Sequence, residues 1–361
     1  VILSLPGEAE RAAAAQRFCT EFLADGPRPK YLLGRNVYAE AVARHVDLAG
    51  FVDDFYPEAS WLGRPVIRSQ EIPAGALVLN AAGGRPLSAK RRLDDLGLEN
   101  IDYFAFAKYA GLPLVPVVFN EGFSEDFQTN EVEYRWIEGR LYDELSCSLL
   151  RKLVSFRLKY DLELLCGFEA REHAQYFEDF LDLQPAGESF VDVGGYDGAT
   201  SREFMRRCPG YRAVHVFEPE PQNFTKCVAA LGSSANVHCL PLGLSDARRS
   251  LRLTAQGSGS KIVEGGAVVI EVDRLDDVLQ EQEAPTLIKI DIEGEESAAI
   301  EGARQTIAAH HPRLAICVYH RAGDFWRIPR QVLAIRDDYD IYLRHYTESI
   351  YETVMFFMPR R

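Results

Sequence analysis

The segment Phe190–Ser201, read as Phe-Val-Asp-Val-Gly-Gly-Tyr-Asp-Gly-Ala-Thr-Ser, constrains this chain more than any other. An apolar run of strand length enters a glycine-rich turn and leaves as a helix. Glycines let the backbone approach a ligand closely, and a helix start offers amides without intrahelical partners. A strand–turn–helix of this kind belongs to a parallel sheet covered by helices. The surrounding sequence agrees: SFVDVGG, AVHVFEPE, VHCLPLGLSD, TLIKIDIEG and RLAICVYH are strand-like, and helices separate several of them. SLRLTAQ and AVVIEV read as an antiparallel excursion before the fourth strand, and IYLRHY with ETVMFF as a closing hairpin.

The spacing narrows the ligand. A pyrophosphate-binding turn follows G-x-G-x-x-G, whereas here Asp192 precedes Gly194, Gly195 and Gly198 as D-x-G-x-x-x-G. A carboxylate there suits a ligand with an amino group and a sulfonium rather than a diphosphate. Asp192 is expected to hold the turn and to meet the methionyl ammonium, directly or through water. One strand later Glu218, followed by Pro219, stands where an acid accepts both ribose hydroxyls. The turn Leu242-Gly243-Leu244-Ser245-Asp246 after the third strand is expected beside the adenine. The cofactor-binding set is therefore Asp192, Gly194, Gly195, Tyr196, Gly198, Glu218, Pro219, Leu242 and Gly243, and the cofactor S-adenosylmethionine.

Taken together, FVDVGGYDG, FEPEP, the LGLSD turn, LIKIDIEGEE with the following EGA, and PRLAICVYH resemble the FkbM-type methyltransferase family over about residues 175–357. The resemblance implies a class I methyltransferase fold, Rossmann-like, with a seven-stranded sheet and a terminal antiparallel hairpin. It also implies methyl transfer from S-adenosylmethionine, usually to oxygen, on a sugar or polyketide-like hydroxyl.

In such a fold the acceptor meets the methyl group beyond the carboxyl ends of the strands. Strand four ends at Ile290-Asp291-Ile292-Glu293-Gly294 and strand five at Tyr319-His320, so Asp291, Glu293 and His320 are expected to converge as the catalytic group. His320 or Asp291 is the candidate base, His320 because its ordinary pKa is about 6.5. The plain structural alternatives are a turn-capping Asp291, a helix-start Glu293 and a hydrogen-bonded His320 at a strand end. Two carboxylates and one imidazole fall short of the several oxygen ligands a hard cation prefers, so no metal is assigned. His345 and Glu352 of the closing hairpin are expected either to reach the acceptor or to pair structurally.

The first half carries its own alternation. After a helix at 8–24, KYLLG, LAGFVDD, PVIRS, ALVLNAAGG and IDYFAFA read as strands, NVYAEAVARHV and LSAKRRLDDLGL as helices. This is a smaller Rossmann-like α/β domain, and its turn Gly34-Arg35-Asn36 has one glycine where a phosphate loop has three. The expected organisation is an N-terminal helix (1–25), the small domain (26–120), a helical connector (121–185) and the methyltransferase-like domain (186–361). The alternative reading is a nucleotide- or nucleotide-sugar-binding enzyme or sensor that uses the small domain.

The chain has 361 residues and a net charge of −14. That charge repels phosphate backbones and anionic lipid, so neither nucleic acid nor membrane is an expected partner; a small-molecule or glycan hydroxyl acceptor is, and a homo-oligomer is compatible. Seven scattered cysteines without a CxxC argue against zinc or a disulfide framework and fit a reducing cytoplasm.

Overall fold

The computed structural model describes residues 1–253, 266–279 and 284–360. Its contacts divide the chain into two units. Unit 1 comprises Val1–Glu125, Ser148–Glu172 and His345–Tyr351, and unit 2 comprises Asp126–Cys147, His173–Arg344 and Glu352–Arg361. The 121–185 stretch is thus shared between them. It forms two helices, Phe123–Glu138 and Glu144–Lys159, while REHAQYFEDFLDL makes only single 3-10 turns at Glu172–Ala174 and Asp179–Leu181.

Unit 1 holds β1 (Lys30–Leu33), β2 (Gly50–Val52), β3 (Ser60–Trp61), β4 (Arg64–Ile67), β5 (Leu77–Asn80) and β6 (Glu99–Asp102), ordered β3-β4-β2-β1-β5-β6. All neighbours pair in parallel except β3 with β4. One expectation fails here. IDYFAFA is strand only through Asp102, whose carboxylate accepts the Ala105 amide and starts the helix Tyr103–Tyr109. Tyr103, Phe104, Ala105 and Phe106 are all buried. A short apolar run buried on every side carries no period to separate strand from helix.

Unit 2 contains β7 (Ser189–Val193), β8 (Ala213–Phe217), β9 (Val237–Leu240), β10 (Gly243–Leu244), β11 (Arg249–Leu253), β12 (Val268–Asp273), β13 (Leu287–Ile290), β14 (Arg313–Cys317), β15 (Tyr339–His345) and β16 (Thr353–Pro359). Seven of them form one sheet, β15-β16-β14-β13-β7-β8-β9. Its centre is parallel, and β16 enters antiparallel to β14. The class I arrangement is therefore present. The central strands read as mainly apolar runs without polar alternation because both faces are buried; Phe190, Val193, Val216, Ile288 and Ile316 are at most 1% exposed.

The excursion is also present. β11 and β12 pair antiparallel, and β10 joins β12 in a small side sheet. Residues 254–256 of SLRLTAQ lie outside the described residues. Among the described residues, no helix is long and apolar enough to cross a membrane.

Candidate active site

The site of unit 2 is a cleft of about 240 Å³ at the carboxyl ends of β7, β8, β13 and β14. One wall is apolar. Leu251, Leu253, Ile270 and Val272 face it from β11 and β12, where Leu251 and Ile270 are direct cross-strand partners. The opposite end carries Asp291, Glu293, Tyr319 and Glu352.

The glycine turn is shaped by close approach. Gly194 has φ 84°, and a Cβ there would sit 2.0 Å from the Asp291 carbonyl oxygen. A Cβ on Gly195 would meet Val216 Cγ1 at 2.2 Å, so that glycine serves packing between turn and sheet. The amides of Gly194 and Gly195 both donate to the Phe217 carbonyl, at 2.9 and 3.1 Å. Gly198, with φ 79°, precedes the helix Ala199–Arg207 and lies against Leu231. Of this group, Gly194 and Tyr196 line the cleft.

Asp192 does not. It is 0% exposed, with Ser201 Oγ donating to Oδ2 at 2.7 Å and Lys289 Nζ 3.1 Å from Oδ1. Of the contacts expected with a ligand ammonium, direct or through water, the direct one is closed off, because the carboxylate is enclosed by the fold. Its partner was missed in the sequence. Lys289 sits opposite Asp192 in the β7–β13 register and donates to the Gly194 carbonyl at 2.6 Å. Burial pulls the ammonium's pKa down, but Asp192 and Asp291 outweigh it and the net shift is upward. The available signal was a lone cation inside the apolar run Leu-Ile-Lys-Ile, which a buried strand tolerates only with a counter-charge. Lys289→Met, which strands the Asp192 carboxylate, should destabilise the fold by about 3–5 kcal/mol in urea unfolding.

Glu218 lines the cleft as expected. Its Oε2 accepts the Tyr196 amide at 2.8 Å and its Oε1 the Glu220 amide at 2.9 Å, while burial lifts its pKa. Pro219 and Gly243 line the cleft too; Leu242 is half-buried outside it, and Leu244 and Ser245 take the place expected for it.

Asp291, Glu293 and His320 do come together. His320 Nε2 lies 3.6 Å from Asp291 Oδ1 and 3.9 Å from Glu293 Oε2, and its Nδ1 is 2.9 Å from Glu296 Oε1. The imidazole is fully buried and does not line the cleft. Burial works against its charge, but Glu296, Asp291 and Glu293 outweigh it and lift the pKa to about 10. Buried away from the cleft, with its hold on a proton raised by three carboxylates, His320 is poorly set to serve as the expected general base. Asp291 is ionised: burial is overridden by Lys289, His320 and the Tyr176 hydroxyl, which donates to Oδ2 at 2.6 Å. Glu293 differs from both. Burial lifts its carboxyl to about 7, and Asp291 and Glu296 add to that while His320 opposes it. It also occupies the left-handed backbone region at φ 57°, which costs a residue with a side chain about 1–3 kcal/mol.

Glu352 faces the cleft, accepting from Tyr319 Oη at 3.1 Å and from Gln175, and burial together with Asp291 raises its pKa. His345 does not face it. It is buried in unit 1 against Phe168, with its pKa pulled down to about 3 by burial.

In unit 1 the strand order reverses direction between β1 and β5, the kind of position at which α/β sheets bind ligands. Its polar groups serve the chain itself. Asn36 Oδ1 accepts the Tyr38 and Ala39 amides. Asp53 accepts from Phe55, Tyr56 and Arg35, whose guanidinium lies 3.3 Å over the Tyr56 ring. At the start of the helix Pro86–Asp95, the Ser88 amide and hydroxyl donate to the Glu348 carboxylate.

Residues 192–350 match the methyltransferase FkbM domain. Among solved structures, the chain is similar to a methyltransferase FkbM from Methylobacillus flagellatus KT. Identity is 24%, the TM-score is 0.72, and the match covers 97% of this chain and 99% of that one. At this identity the likeness is one of fold. Fibrillarin from Aeropyrum pernix, solved with natively bound S-adenosyl-L-methionine, aligns at 9% identity and a TM-score of 0.31, over 48% of this chain and 67% of that one. No curated protein matches.

Proposed function

We propose that this chain, whose residues 192–350 form a methyltransferase domain of the FkbM type, methylates a hydroxyl of a sugar or other hydroxylated metabolite from S-adenosylmethionine. The cleft fits that cofactor. Gly194 lines the cleft and, lacking a Cβ, lets the turn pack against the Asp291 carbonyl beside it. Glu218 would take the ribose hydroxyls, Pro219 and Leu244 would flank the adenine, and the ionised Asp291 would meet the methionyl ammonium in place of Asp192. When bound, the cofactor supplies an electrophilic methyl group.

The observation that carries the oxygen acceptor is Glu293. A hydroxyl that is methylated must lose a proton, and a base works best with a pKa near the working pH. Glu293 lines the cleft with its carboxyl lifted to about 7. Glu352 and Tyr319, hydrogen-bonded to one another beside it, are placed to hold further hydroxyls of the acceptor.

Calorimetry of the full chain with S-adenosylhomocysteine tests the cofactor, and folded protein that does not bind it sinks the reading. Labelled methyl transfer to a panel of hydroxylated sugars and metabolites, with the product resolved by NMR, tests the acceptor. An N- or C-methyl product rejects the hydroxyl. The competing nucleotide reading for unit 1 predicts tight NAD binding that Gly34→Val abolishes; the committed Asn36, Asp53 and Ser88 groups weigh against it.

A further inference from the structure

The loop after β13 folds around a single carboxylate. Glu296 Oε1 accepts the Ile292 amide at 3.0 Å and the Gly294 amide at 3.3 Å, with Glu293 between them in the left-handed region. Glu296 is 1% exposed, and a carboxylate so buried needs a counter-charge. His320 provides it through Nδ1 at 2.9 Å. The other ring nitrogen faces Asp291 and Glu293. Three carboxylates from the β13 side therefore share one imidazolium delivered by the end of β14.

We propose that His320 is a positioning residue: paired with Glu296, it locks the Ile292–Gly294 loop so that the Glu293 carboxylate stands at the cleft, and it exchanges no proton with the acceptor. This rests on the reading of Glu293 as the proton acceptor. The loop's geometry explains why a glutamate sits where glycine is favoured: two amide bonds to Glu296 over-determine the backbone on either side of it. The charged groups that act most strongly on the imidazole are carboxylates, and the Tyr319 ring packs beside it at 4.0 Å between centroids. Beyond Glu296, Asp291 and Glu293, the charges that feel it are Asp324, from the helix Asp324–Ile335, and Glu352. All five favour the imidazolium. Without it the same carboxylates repel one another, and the loop loses the anchor for its amides.

The atoms of Asp291, Glu296 and His320 also lie within 4.8 Å of one another, close enough to surround a cation. A divalent ion would need His320 unprotonated, against the charge that surrounds it, and so makes a distinct prediction.

The test is His320→Gln in the full chain, with Glu296→Gln as the second variant because it keeps the side-chain shape. Amide exchange at Ile292 and Gly294 is expected to quicken by about tenfold or more in His320→Gln, with β13 amides unchanged. On any acceptor methylated in the panel, the acid limb of the pH–rate profile is expected to move up by about one unit, because Glu293 loses its cation. A purely structural residue would lower the rate at every pH without moving that limb. Unchanged exchange, or a rate loss with an unmoved limb, overturns the proposal. If His320→Gln does not fold, the exchange in Glu296→Gln decides, and no change there overturns it. Activity lost to a chelator and restored by Mg²⁺ or Mn²⁺ overturns it in favour of a metal. Exchange that responds while Glu293→Gln keeps full activity rejects the proton-acceptor reading instead, and leaves the lock standing.

Discussion

Glu293→Gln should lower kcat by about 10²–10⁴, with the affinity for S-adenosylhomocysteine unchanged within about twofold. The amide keeps the size of the side chain and removes only its capacity to take a proton. The pH profile makes the expectation sharper. With the carboxyl lifted to about 7, the base form is present above that pH and disappears below it, so the wild-type rate should rise through pH 7 and level off. The variant should show a low rate without that limb. Stability runs the other way. The ordinary value is 4.5, so between about 4.5 and about 7 the folded chain holds a proton that the unfolded chain has released. Wild-type stability relative to Glu293→Gln therefore falls as pH rises through that window and stays low above it. Urea denaturation of both proteins at pH 5 and pH 8 measures it. A variant with full activity, or a stability difference that grows with pH in the wild type's favour, rejects the assignment.

Gly194→Ala should weaken S-adenosylhomocysteine binding by about 100-fold or more. The new methyl group would lie 2.0 Å from the Asp291 carbonyl oxygen and would hold an L-residue at φ 84°. Relieving backbone strain of about 1–3 kcal/mol by moving the turn out of its binding shape corresponds to roughly 5- to 150-fold. The clash adds to it, because the Asp291 neighbour is backbone and cannot rotate away. The displaced partner is Asp291 itself, so the loop bearing Glu293 moves as well. Calorimetry measures the affinity, and circular dichroism checks that the sheet survives. Binding within about threefold of wild type would mean that the turn is not the cofactor cradle.

Much of unit 2 was legible because it follows from contiguous residues. Strand, glycine turn and helix are local conformations, and Phe190–Ser201 specifies all three. The end of an apolar run marks a strand's carboxyl edge, which is how Glu218, Asp291 and Glu293 were located at the cleft. Where the local signal is ambiguous, the reading failed: the apolar run in IDYFAFA carries no period to separate strand from helix, and the Asp102 cap makes it a helix.

The chemistry of the charged groups belongs to the tertiary structure. The sequence determined which acids and histidine could reach the cleft; it could not say which would be ionised there. Asp192 is held inside the fold because register puts Lys289 beside it, and His320 gains affinity for a proton because Glu296, Asp291 and Glu293 surround it. The side sheet of β11 and β12 likewise supplies an apolar wall from residues with no local mark of function. The physical reason is the range of the forces. Backbone conformation depends on neighbours along the chain, whereas proton affinity depends on burial and on charges a few ångströms away, brought together by folding from both sides of β13.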